Sequence, residues 1–443
     1  MQLPPLVSQF LSAFSKGCSS RDYCAKIIEI RKLSYRILLV TDTAWFAPMT
    51  RGLGGTNRML LLVLAFTLCR TTTCYLPAPW REPPRSAYVH IPFCRRRCSY
   101  CDFPIVPIGD RPGAAEGASE PYVELLLREI AATARTHGER TRAAGGLATI
   151  FFGGGTPSLL PPRELDALLA ALDAAFGLAP GAEISAEMDP GTFDDARLRA
   201  FVTAGVNRVS LGVQSFDDDL LRACGRSHSA ADAHDAIARV QHSRVERFSV
   251  DLMTGLPGLT KALWHATLET ALATGAPHMA VYDLQVEDGT AFARRYEPGV
   301  APLPTEDACA SMLRDAAHAL GAAGLQRYEV SNFARAGFEC AHNACYWANK
   351  PHLAFGNGAA RCRRSFNHLS PSVRAHLMSG ARPHAICSFI DGHRFSRPRS
   401  IRDYEQWLDT YEVESRTSTS EGDSADGLIR HDWLLDSVMV RRC

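Results

Sequence analysis

Residues 88–103 read YVHIPFCRRRCSYCDF. An apolar run ends at Ile91, and three cysteines follow at spacings of four and three: Cys94, Cys98 and Cys101. Asp102, not a fourth cysteine, comes directly after them. Four thiolates close a tetrahedral zinc site or ligate every iron of a [4Fe–4S] cluster. Three thiolates on one short loop leave one cluster iron without a protein ligand, open to the amine and carboxylate groups of a small molecule. The bland alternatives are a zinc knuckle short of a ligand and three unrelated thiols.

Working outward, the chain from Ser86 onward alternates short apolar runs with helical stretches. The strands are expected at 87–91, 147–154, 183–188, 206–213, 246–253 and 278–285. The intervening segments 122–144 and 162–177 carry apolar residues at helical spacing. Six strands alternating with helices imply parallel βαβ units with right-handed crossovers, an α/β fold of the incomplete (β/α)6 barrel kind. In such folds chemistry gathers at the C-terminal ends of the strands. The polar signals fall there. Cys94 follows the first strand and GGGTPS (153–158) follows the second; Glu187, Gln214 and Asp251 sit at or near the ends of the third, fourth and fifth.

Size and composition set the limits. The chain has 443 residues, 46% apolar and 21% charged, an ordinary soluble balance. A net charge of +1 gives no global reason to expect a nucleic-acid partner. Fourteen cysteines is high for this length, but their uneven clustering favours a metal or cluster over a disulfide framework. The run MLLLVLAFTLC, from Met59 and flanked by Arg58 and Arg70, is shorter than the roughly 20 residues a membrane span needs. Its length and flanks suit the core of a targeting segment, with Met49 or Met59 as a true start. A buried apolar helix is the alternative. Residues 1–85 therefore read as an N-terminal extension, 86–300 as the core barrel and 301–443 as a C-terminal extension.

A CxxxCxxC loop ending in the pair Tyr100-Cys101 resembles that of radical S-adenosylmethionine (SAM) proteins. YVHIPFCRRRCSYCDF as a whole resembles the oxygen-independent coproporphyrinogen III oxidase family. Asp102-Phe103 matches its HemW-type haem-chaperone branch, whereas the true decarboxylases carry a further cysteine soon after the third. The resemblance implies a [4Fe–4S] cluster on Cys94, Cys98 and Cys101. It implies SAM held by Tyr88, Gly154, Gly155, Thr156, Glu187, Gln214, Arg226 and Asp251. It also implies one-electron cleavage of SAM to methionine and a 5′-deoxyadenosyl radical, and hence an electron donor. Glycines fit this reading because they let backbone approach a ligand. Arg226 can pair with a carboxylate, although a surface ion pair is its bland alternative. The bland alternative for Asp251 is a helix cap. HNACYW, residues 342–347, matches a motif linked in the HemW type to haem binding. That makes His342 the candidate axial ligand and Cys345 its competitor. His90, His228 and His278 are expected to be structural or to face the substrate.

The implied function is a haem-binding chaperone that serves an acceptor apoprotein. The enzyme reading is coproporphyrinogen oxidation. A degenerate binding module is a third. Organelle import, into plastid or mitochondrion, fits the apolar N-terminal run; the cytoplasm is the alternative. The pattern breaks in two places. Residues 361–387 hold five arginines, three histidines and no acidic residue, and interrupt a match that resumes at Ser388. They read as a basic loop or a mispredicted exon. The tail also reads as cut short, where the family continues into a helical domain.

Overall fold

The structure is a computed structural model that describes residues 82–111, 114–348, 350–362 and 394–417. The apolar run at 59–69, residues 363–387 of the basic segment and the tail from 418 onward lie outside the described residues. Six strands form the centre: β1 (Ser86–Ile91), β2 (Leu147–Gly154), β3 (Leu178–Met188), β4 (Arg208–Gln214), β5 (Arg247–Thr254) and β6 (His278–Asp283). All five contacts between them are parallel, as the alternation of strands and helices predicts. Three short strands, β7 (Gln326–Arg327), β8 (Asn332–Ala334) and β9 (Leu353–Phe355), extend the sheet. The order is β9-β1-β2-β3-β4-β5-β6-β8-β7. β9 runs parallel to β1, and β8 antiparallel to β6. The C-terminal extension thus supplies strands to both edges of the sheet.

The crossover helices begin where the sequence offers caps. Asp194, Asp217, Ser229, Thr260, Thr290 and Thr305 each accept a bond from a first-turn amide, a contact worth about 1 kcal/mol. The helix Pro162–Phe176 buries Leu165, Leu168, Leu169, Leu172 and Phe176 on one stripe. At about 1.5–3 kcal/mol per buried side chain, that stripe and not helix propensity fixes the helix on the sheet. The helix Ala114–Ala143 starts upstream of the expected residue 122 and carries Pro121 inside it. Proline normally opens a helix; here two turns precede it.

The sheet has two unlike faces, as strand alternation allows. Val89, Ile91, Ile150, Phe152, Ile184, Ala186, Val209, Leu211, Val250 and Leu252 join the apolar core with the helices. The residues between them, among them Tyr88, Thr149, Glu183, Glu187, Ser210, Asp251 and His278, point the other way and bond to one another or to the C-terminal extension. A second lock lies in the helix layer. Glu129 accepts from Arg397, Gly356 N and the Tyr404 hydroxyl (2.6–2.9 Å). This joins the helix Ile401–Thr417 to the helix Ala114–Ala143. Arg361 and Cys362, at the start of the basic segment, pair antiparallel with Phe395 and Arg394.

Candidate functional site

The site is built on the ends of the strands. Phe93 and Cys94 pair in parallel with Val106 and Pro107, which closes the cysteine loop at its base. Arg97 closes it across the middle, donating to the carbonyls of Cys101 (3.2 Å), Phe103 (3.0 Å) and Ile105 (2.8 Å). Ser99 is anchored from both sides: its amide donates to Cys224 O (2.8 Å), and its carbonyl accepts from Phe292 N (2.9 Å). The three cysteines are half-buried and free of disulfides. Burial pushes the Cys94 thiol up to about 12, against a bond from Thr156 Oγ1 at 3.4 Å. Burial likewise pushes Cys101 up to about 11, and Cys98 adds to the rise. Both are thiols at neutral pH, so loading metal must displace protons. Among the described residues no group of three or more His, Cys, Asp or Glu is gathered for a single metal ion. A cluster's thiolates go to different irons, and three half-buried cysteines spread along one loop are compatible with that.

The glycine loop comes against this loop. Gly155 N donates to Ile91 O and Thr156 N to Phe93 O, each at 2.8 Å. Gly154 has φ +107°, and a Cβ there would collide with the His90 ring; at Gly155 it would lie 2.7 Å from Ile91 O. Both positions need glycine. Glu187 accepts from Gly154 N at 2.9 Å. Burial pushes its carboxyl up to about 7, with Asp251 adding to the rise. Asp251 accepts from Ser210 (2.8 Å) and Ser249 (2.7 Å), and burial pushes it up to about 6. Asp251 is therefore neither a helix cap nor exposed. Two carboxyls whose charge changes near neutral pH share one rim.

Arg226 lies beneath the cysteine loop and is no surface ion pair: its side chain is 10% exposed. It bonds Asp189 and Gly212 O (2.5 Å) through Nη2, and faces Cys98 Sγ (3.5 Å) and Tyr100 OH (3.4 Å) through Nη1. Gln214 has φ +67° and is the one non-glycine with positive φ among the described residues. That conformation costs about 1–2 kcal/mol and is characteristic of functional sites. Gln214 Oε1 and Arg226 Nε are buried without hydrogen-bond partners. A protein does not leave such atoms unmet without cost. Orphaned atoms, backbone held close by glycine and strain converge here, and fit a polar small molecule such as SAM beside a cluster.

Three residues of this site escape sequence reasoning. Asp189, two positions beyond Glu187, gathers Arg226, Ser227 (3.2 Å) and His228 (3.1 Å). A carboxylate just past a strand end carries no pattern of its own. Ser210 and Ser249, the partners of Asp251, have alternation as their only signal. His228 bonds Asp189 and Val213 O, and His278 lies between Ser249 and Tyr328. His90 holds Tyr88 OH (3.0 Å) and Pro104 O (3.3 Å).

His342 is placed apart from the rim. It is 1% exposed, on the helix Ala341–Trp347. Nδ1 meets Thr149 Oγ1 at 2.8 Å and Nε2 meets Tyr346 OH at 2.7 Å. Its backbone N donates to Glu183 (3.2 Å), which also faces Arg208 (3.6 Å). Phe151 stacks on the ring at 5.2 Å. Burial holds His342 well below the usual histidine range, so it is neutral. Cys345 is buried, its thiol 3.8 Å from Lys350 O. Thr149 lies near the start of β2, so His342 sits towards the opposite end of the polar face from the cysteines, while Tyr346 of the same motif comes near enough to Glu187 and Tyr88 to act on them electrostatically. We call the His342 end the floor.

Half-buried cysteines on one loop, a glycine cradle and a strained polar rim on a parallel α/β sheet define a radical SAM protein. A model of the radical SAM superfamily matches residues 88–271. The structure is similar to coproporphyrinogen III oxidase (HemN) from Escherichia coli, with TM-score 0.59 and 21% identity over 75% of this chain and 71% of that one; this supports the fold. The chain is 42% identical over 328 residues to the heme chaperone HemW of Synechocystis sp., covering 74% of this chain and 71% of the relative. It is 38% identical to the heme chaperone HemW of Escherichia coli, over 62% and 70% of the two chains. It is 39% identical to the mitochondrial radical S-adenosyl methionine domain-containing protein 1 of Bos taurus, over 64% and 61%. The chain belongs to the HemW family of radical SAM proteins.

Proposed function

We propose that this protein is a haem chaperone: it binds haem and passes it to an acceptor apoprotein, with a [4Fe–4S] cluster and SAM at its rim. Cys94, Cys98 and Cys101 would hold the cluster. Glu187, Gln214, Arg226 and Asp251, with backbone at Gly154 and Gly155, would hold SAM. The chemistry that cluster and SAM supply together is one-electron cleavage of the sulfonium, which requires an electron donor. The chain's own part is to hold Glu187 and Asp251 near their protonation midpoints and to present unmet donors and acceptors to the ligand.

The observation that carries this reading is Asp102. Where the decarboxylating branch has a further cysteine soon after the cluster loop, this chain has an aspartate. Arg399 donates to the Asp102 carbonyl and stands 3.9 Å from its carboxylate. This connects the loop to the residues that return after the basic segment. The names of the bacterial relatives support the same assignment. Haem ligation by His342, the role that resemblance assigns it, would require one ring nitrogen to be freed, Nε2 from Tyr346 OH on its own helix or Nδ1 from Thr149. Delivery to an organelle is supported by the apolar run at 59–69 and by the mitochondrial relative. Among the described residues no helix is long and apolar enough to cross a membrane.

The test is to incubate the anaerobically reconstituted protein with coproporphyrinogen III, SAM and a reductant, beside a haem titration. Haem binding without carbon dioxide release is expected. SAM-dependent decarboxylation without haem binding would replace the chaperone with the oxidase.

A further inference from the structure

Asp189 has no part in the assignments above, yet it is the point on which one side of the rim converges. Its backbone is fixed first. Asp189 N donates to Ser158 Oγ (3.2 Å), and Thr192 Oγ1 donates to Asp189 O (2.6 Å). Ser158 and Thr192 meet each other at 2.6 Å. Ser158 ends the GGGTPS stretch, so the loop that brings backbone to the ligand also anchors this carboxylate.

Three consecutive residues then supply its donors: Arg226, Ser227 and His228. The Asp189 side chain is 15% exposed and that of His228 fully buried. Burial alone would push the Asp189 carboxyl up, but Arg226, His228 and Ser227 outweigh it and hold it below the ordinary carboxylate range. It is an anion at neutral pH. Arg226, gripped through Nη2 by Asp189 and Gly212 O, has its Nη1 left to face Cys98 Sγ and Tyr100 OH. A guanidinium is a rigid fork, so fixing one nitrogen aims the others.

We propose that Asp189 is a positioning residue that aims Arg226 at the cysteine loop and, as the counter-charge to Arg226, sets the net charge beside Cys98 and so the reduction potential of the cluster. This rests on the cluster reading above. The levers on such a potential include nearby charge and hydrogen bonds to the cluster sulfurs. A carboxylate next to Arg226 cancels part of its positive charge, which keeps the cluster harder to reduce. The cost is offset by geometry, because the same carboxylate holds the guanidinium that faces the Cys98 thiol.

The experiment has two arms. In the first, reductive titration of the reconstituted, SAM-free protein is followed by electron paramagnetic resonance. Asp189→Asn keeps the shape and removes the charge, so the cluster should become easier to reduce. The ratio of reduced to oxidised cluster at fixed potential should rise about tenfold, equivalent to about 59 mV for one electron. Arg226→Gln should shift it the other way, and Asp189→Glu should return it towards wild type. A role confined to folding would move the unfolding midpoint of Asp189→Asn and leave the potential alone, which would overturn the proposal. In the second arm, a crystal structure of cluster-free Asp189→Ala should show the guanidinium of Arg226 turned away from Cys98 and Tyr100. An unmoved guanidinium would also overturn it. A wild type that takes up no cluster would sink the cluster reading instead, and the second arm would still decide the role of Asp189.

Discussion

The rim and the floor of the same sheet face are made from the same kinds of residue and finished differently. At the rim, Gln214 Oε1 and Arg226 Nε are buried without partners, Gln214 has a left-handed backbone, and the cysteines are half-buried. At the floor, both nitrogens of His342 meet hydroxyls, its amide meets Glu183, and Phe151 covers its ring. Buried polar groups left unmet cost about 1–3 kcal/mol each. The floor carries some of that cost too, since Arg208 Nη2 beside Glu183 and Ser185 Oγ are buried without hydrogen-bond partners. What sets the floor apart is that His342 itself is fully met, whereas Gln214 and Arg226 at the rim are not and fit a ligand site. Recognition by motif alone gives the two ends equal standing; the left-handed backbone of Gln214 and the met ring nitrogens of His342 separate them.

The comparison is broken most completely at the cysteines. The wild type should hold about four irons and four sulfides per chain after anaerobic reconstitution. Each of Cys94→Ala, Cys98→Ala and Cys101→Ala should hold none, by iron and sulfide analysis. Next comes stability in the cluster-free protein. His342→Ala strips partners from Thr149, Tyr346 and the packing of Phe151, and should lower the unfolding free energy by about 2–4 kcal/mol. Gln214→Gly at the rim relieves the left-handed backbone and should change it by less than about 1 kcal/mol while weakening SAM binding. Denaturant titrations of both variants check this. Equal losses would erase the distinction between the two ends.

A smaller effect is expected from pH. The Glu187 carboxyl stands at about 7 in the fold against an ordinary 4.5. The folded state therefore holds the proton more tightly. Its contribution is fully present below pH 4.5 and is lost as pH rises through 7. The loss is at most about 3 kcal/mol. Glu187→Gln should flatten this part of the pH–stability profile of the SAM-free protein, measured by urea unfolding between pH 5 and pH 8. An unchanged slope would place the titration elsewhere.

Much of this was legible in the chain. The six central strands follow from alternation, and the cysteine loop from its spacing. The glycine stretch and Glu187, Gln214 and Asp251 fall where strand ends should be. What was not legible depended on partners distant in sequence. β7, β8 and β9 have two or three residues each, too short for any periodicity, and exist because β1 and β6 offer free edges. Asp189 owes its role to Arg226, Ser227 and His228, nearly forty positions away. The placement of His342 was hidden for the same reason: its partner Thr149 lies 193 residues earlier, and no local pattern distinguishes a satisfied histidine from a ligand. Asp102 stood out in the sequence but had no partner there; Arg399, across the basic segment, bonds its carbonyl and stands 3.9 Å from its carboxylate.

An anaerobic haem titration of the reconstituted wild type, His342→Ala and Tyr346→Phe, read from the haem absorption spectrum, tests most directly whether a closed floor must open to bind haem. The wild type should bind haem. His342→Ala should bind tenfold to a hundredfold more weakly with an altered spectrum, the scale of about 1–3 kcal/mol for a lost polar contact. Tyr346→Phe removes the hydroxyl that holds His342 Nε2 and should bind at least as tightly as wild type, because the closed state is then less favoured. Three identical titrations would contradict the account and remove His342 from the haem site.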